Sequence, residues 1–205
     1  MPGFRKVIRA EERASLPPSL LCRWRWVILY IILIFATLPL LPVVWIRLAR
    51  LYGRAPGLAL TALLAAAALA LFLYVVRVKG ERRPWVLGGL VGLLFLYGWE
   101  VSRLTLAVER VHFLEYGLLS FLVFRVFQAS GKEGVRGWWL KTLAFTFAVG
   151  VLDEVIQYIL PNRVGDLRDV LLNAKSGLYG LVATALIRDR AGELWAWLLP
   201  LKEVA

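Results

Sequence analysis

Asp153 and Glu154 stand side by side inside an apolar run, with Gln157 four residues after the first and three after the second. Carboxylates are costly to desolvate. At membrane depth such groups face a protein interior or a wet cavity and mark functional sites. On a helix the three- and four-residue spacings bring all three near one face. Adjacent residues point about 100° apart, so one carboxylate faces the centre while the other is expected to pair with Arg163, Arg168 or Arg103. Pro161 cannot continue the helix and pushes Leu160 out of helical angles. Arg163, Asp166, Asp169 and Asn173 follow at the start of the next apolar run. Upstream, the one histidine, His112, precedes Glu115 and Tyr116 at i+3 and i+4. His112, Asp153 and Glu154 are the candidates for proton transfer. Glu115, Tyr116, Gln157, Arg163, Asp166, Asp169 and Asn173 are the candidates for ligand binding.

Each candidate also has a plainer reading. His112 could be an interfacial histidine bonded to a carboxylate. Asp153 or Glu154 could belong to a buried ion pair, which is weak evidence for stability because desolvation offsets the attraction. Asp166 and Asp169 suit capping of the next helix. Arg163 could hold an anion through its fork or pair with a neighbouring acid. Asn173, Gly177 and Gly180 lie on a small face suited to helix packing. The sequence leaves the cofactor open. One histidine with carboxylates is a donor set for Zn, Mn or Mg, but there is no HExxH spacing and no soft ligand, so no metal is assigned. Neither a P-loop, a dinucleotide-binding glycine pattern nor a nucleophile elbow is present.

The elements that position these residues are membrane spans. Of 205 residues 60% are hydrophobic, with mean hydropathy +0.69, against ~45–50% apolar in soluble domains. The expected fold is all-α, a polytopic membrane helix bundle of about six transmembrane helices. They fall near Trp26 to Ile46, Gly57 to Val76, Trp85 to Arg103, Val108 to Phe127, Trp138 to Leu160 and Asp169 to Ile187. Pro39 and Pro42 should kink or fray the first, and Ala62 to Ala70 offer the second a face for close contact. The organisation is then a basic tail (1–23), three N-terminal spans (24–108), a core of three spans (109–187) and an interfacial C-terminal helix (188–205). With six spans and an inside N-terminus, about twice as many Lys and Arg fall inside as outside, so both termini are expected in the cytoplasm. Nine tryptophans fall near the span ends, where amphipathic rings settle. This arrangement gathers the polar candidates at the extracytoplasmic end, as an open crevice floored by carboxylates. The net charge of +11 reads as topology and contact with anionic lipid, not nucleic acid. The single cysteine, Cys22, excludes an internal disulfide.

The run DEVIQYILPNRVGDLRDVLLNAKSGLYG, with the earlier His112-x-x-x-Tyr116, resembles the signature of the VanZ-like family of small bacterial membrane proteins. The resemblance covers about residues 109–187, and residues 1–108 carry no assignable motif. The family usually has Pro-Gly-Arg where this chain has Pro161-Asn162-Arg163. The resemblance implies a multi-pass protein of the bacterial cytoplasmic (inner) membrane, working on the cell envelope. The family's namesake is associated with teicoplanin resistance. Two functions follow. In the first, the crevice binds, and could process, a lipid-linked or anionic envelope molecule, with membrane lipid as partner. In the second, the chain is a non-catalytic accessory subunit docked in a larger membrane protein complex.

Overall fold

A computed structural model describes residues 18–104, 107–131, 134–161 and 166–187. The basic tail, the C-terminal segment and Arg163 lie outside the described residues. Among those described, seven α-helices follow one another: α1 Pro18–Thr37, α2 Leu40–Tyr52, α3 Ala55–Leu73, α4 Pro84–Arg103, α5 Val111–Ser130, α6 Val135–Ile159 and α7 Leu167–Ile187. A π-helical turn, Tyr74–Val78, prolongs α3, and a 3₁₀ turn, Ala107–Arg110, leads into α5. Six helices are long and apolar enough to cross a membrane; α2 is not among them. The chain is an all-α multi-pass membrane protein.

The first span differs from expectation. Pro39 and Pro42 do more than kink it: α1 stops at Thr37 and α2 starts at Leu40. Proline removes a backbone donor and clashes with the preceding turn. The span therefore begins earlier, at Leu20, and the 13-residue α2 covers only about 20 Å, short of the ~30 Å core. At the far end of the bundle Pro161 acts as expected, and Leu160 is extended at φ −73°, ψ 132°.

The core is built by α5, α6 and α7, with α1 packed on α5. Small residues permit the closest crossing. A Cβ on Gly180 would strike the Gly117 backbone and come within 2.7 Å of Ser120 Oγ. A Cβ on Gly177 would reach 2.7 Å from Thr146 Cγ2. These contacts let α7 approach α5 and α6 to backbone distance, as packing in lipid requires. Around them Leu119, Val123 and Val27 are fully buried. Trp139 lies inside the bundle at 2% exposure, edge-on to Phe124, so it is a core residue rather than an interfacial ring. The small-residue face of α3, by contrast, makes no close contact; α3 contains no buried residue. At its C-terminal end, Lys79 donates a 2.6 Å hydrogen bond to the Ile187 carbonyl at the end of α7.

Candidate functional site

His112 and Tyr116 occupy successive turns at the start of α5, and Asp153 comes from the last two turns of α6. Because α5 and α6 run in opposite directions, these positions meet at one end of the bundle. Asp153 is fully buried. Its Oδ2 accepts a 2.9 Å hydrogen bond from the Tyr116 hydroxyl and a longer, 3.4 Å one from Asn173 Nδ2 on α7. His112 Nδ1 stands 3.9 Å from the same oxygen and 3.5 Å from Glu115 Oε2. The imidazole is 6% exposed, set between two carboxylates. A hydrogen bond to a charged group contributes about 1.5–3 kcal/mol, and a buried partner left alone costs as much. The cluster therefore ties three helices together through one carboxylate.

Glu154 takes the other direction. Its Oε1 accepts Gln157 Nε2 at 3.1 Å and its Oε2 accepts the Asp166 backbone N–H at 3.0 Å. The latter bond fixes the beginning of α7 against α6. Glu154 and Asp166 also line a cleft of about 290 Å³ between the two helices, whose other walls are Val151, Val155, Tyr158, Leu167 and Val170. Tyr158, 81% exposed, flanks it on the outer side. The surface that faces the cleft is almost wholly apolar.

The structure brings His112, Glu115, Tyr116, Asp153 and Asn173 into one cluster, with Glu154 and Gln157 beside it. The site is a buried network rather than an open crevice. Asp166 is exposed and caps α7, its Oδ1 accepting the Arg168 N–H at 2.9 Å. Asp169 is half-buried one turn further on. Its backbone N–H donates to the Asp166 carbonyl. Asn173 Oδ1 is buried and takes part in no hydrogen bond, so the cluster keeps a spare acceptor. Gly150 lets it in: a Cβ there would come 3.1 Å from Asn173 Cβ. Among the described residues no group of three or more His, Cys, Asp or Glu side chains is placed to hold a metal ion.

The family model described as VanZ/LLP1 matches residues 27–188. The chain belongs to the VanZ/LLP1 family. No curated protein and no solved structure matches it. The VanZ/LLP1 match runs well beyond the motif region, through α1 to α4, so the N-terminal spans are part of the family unit and not an unassigned addition.

One site residue escaped the sequence reading. Glu109, 9% exposed, lies 3.6 Å from Arg168 Nη2 and joins the starts of α5 and α7. Its place three residues before His112 was the available signal. Arg103 stacks over Trp99, 5.7 Å from the ring centroid. Glu100 pairs instead with Lys175 at 2.8 Å, linking α4 to α7.

Proposed function

We propose that this VanZ/LLP1 protein binds a lipid-linked, anionic cell-envelope molecule at the extracytoplasmic end of the bundle and performs proton transfer on its head group. The observation that carries the reading is the double position of Glu154. It belongs to the buried network through Gln157 and the Asp166 N–H, and it lines the apolar-walled cleft between α6 and α7. A lipid-linked head group enters such a cleft from the side while its tail stays in the bilayer. His112 is the proton carrier, since imidazole changes charge near neutral pH. An acidic O–H of the head group, such as that of a phosphate monoester, gives its proton to the imidazole and keeps the electron pair as its anion, and Asp153 and Glu115 balance the imidazolium that forms. Asn173 Oδ1 orients the O–H. Arg163, in the segment between α6 and α7, is the candidate to hold the anionic group through its fork.

The test is native mass spectrometry of the protein extracted gently from its own membrane. The wild type is set beside Asp153→Asn, Glu154→Gln and His112→Gln. The expected result is a lipid-linked molecule on the wild type, lost from Glu154→Gln and reduced in amount on His112→Gln. If all three variants keep the same molecule in the same chemical form, the reading fails. A stoichiometric protein partner held by every variant would replace it with the accessory-subunit reading.

A further inference from the structure

On the opposite side of α5 from His112 there is a second feature. An apolar cavity of about 490 Å³ lies between α3, α4, α5 and α7. Leu64 and Leu71 of α3, Leu94 of α4, Phe113 and Phe121 of α5 and Tyr179 of α7 form its walls. It exists because α3 is fastened at its two ends and stands off between them. At the C-terminal end Val75 is buried with Val86, Leu90 and Leu186. At the N-terminal end Arg110 Nη1 donates to Thr61 Oγ1 at 2.5 Å and reaches the Gly57 carbonyl at 3.5 Å. The alanine-rich middle of α3 fills little of the gap. Leu71, Leu94 and Leu114 on the walls are exposed at 43%, 37% and 53%, so the cavity opens sideways toward the hydrocarbon. Its volume is about three times that of the ~150 Å³ apolar cavity that takes a benzene ring, which suits an alkyl chain.

Arg110 marks the mouth. It precedes Phe113 and Leu114 by one helical turn, and Thr61 precedes Leu64 by one turn, so both lie at the same end of the cavity. The guanidinium is half-buried, its Nε makes no hydrogen bond, and its acceptors are neutral. Among the described residues no carboxylate lies within ion-pair distance of it, because Glu109 turns to Arg168. A cation at a membrane boundary without a protein counter-ion is costly, and an anionic head group supplies the missing charge.

We infer that Arg110 and the α3–α4–α5–α7 cavity form a binding site for an anionic phospholipid, the phosphate on the guanidinium and one acyl chain in the cavity. This site is separate from the Asp153 cluster and does not rest on its proposed function. The test titrates the delipidated full chain with phosphatidylglycerol or phosphatidylcholine of matched chains and counts bound lipid by native mass spectrometry. The wild type is expected to hold one phosphatidylglycerol about five- to tenfold more tightly than phosphatidylcholine. Arg110→Gln loses the preference but still binds, Arg110→Lys keeps it, and Ala68→Trp, which fills the cavity from α3, loses binding of both lipids. Arg103→Gln, which removes a cation stacked on Trp99 at the end of α4, binds as the wild type does. An unchanged preference in Arg110→Gln, or unchanged binding in Ala68→Trp, overturns the inference. So does a wild type with no anionic preference.

Discussion

At the scale of single residues, Asp153 is the position on which most depends. One oxygen receives donors from two other helices, so its removal strands the Tyr116 hydroxyl and Asn173 Nδ2 together. Asp153→Ala is expected to cost about 3–5 kcal/mol, the range for removing one partner of a buried charged pair. Tyr116→Phe should cost about 1–3 kcal/mol. The double variant should cost less than the sum, since both changes break one network. Equilibrium unfolding in detergent checks this, and strict additivity would mean the Tyr116–Asp153 bond does not form. A second residue-scale expectation concerns Glu81, between α3 and α4. Hydrogen bonds from the Arg83 side chain and the Arg83 backbone N–H hold its carboxyl down from 4.5 to about 2. A lowered folded-state value means the contribution is present above about pH 4.5 and is lost as pH falls toward 2. The melting-temperature difference between the wild type and Glu81→Gln should stay constant from neutral pH to near that upper bound, then shrink below it.

Among the elements, α7 decides the geometry of the site. It brings Asn173 to Asp153, Arg168 to Glu109 and its own first N–H groups to Glu154 and Asp166. It can do so only because Gly180 meets Gly117 at backbone distance. Gly180→Ala should therefore separate α5 and α7 at an overpacking cost of about 1–3 kcal/mol. The same change at Gly92, where an added Cβ meets open space, should be close to neutral. Parallel melting curves of the two variants test the pair, and equal losses would argue against the tight crossing. Gly177 and Gly180 were legible as a packing face from the sequence, whereas Gly92, also suited to tight packing by its sequence, meets nothing. The stand-off of α3 was not legible. An alanine-rich helix promises close contact, but contact also needs a partner whose side chains leave room. Here Phe113, Leu118 and Phe121 face α3 across the cavity instead of closing against it.

For the whole molecule, the six spans alternate direction, so the α5 start, α6 end and α7 start share one face with the α4 end. The distribution of Lys and Arg predicts that this face lies outside. In a Cys22→Ser background, Ser102→Cys at the end of α4 should react with a membrane-impermeant maleimide added to intact cells. Ser130→Cys at the end of α5 should react only after lysis. The reverse labelling pattern would invert the topology and move the polar cluster to the cytoplasmic face. The two candidate sites then sit on two sides of α5, the carboxylate cluster facing α6 and α7 and the apolar cavity facing α3 and α4.

Period and polarity in the sequence were enough for six spans, for the helix end before Pro161 and for most of the polar side chains that the bundle gathers into one network. Each of these follows from local rules: a span needs a certain apolar length, proline ends a helix, and carboxylates in an apolar run are too costly to be incidental. The tertiary structure alone decided that the two adjacent acids divide their roles, Asp153 toward Tyr116 and Asn173, Glu154 toward Gln157 and the α7 start. It alone closed the expected crevice into a buried network and left Arg110 at the mouth of a cavity. Those outcomes depend on distances between helices far apart in the chain, which side-chain volumes at the crossings set and no local spacing encodes.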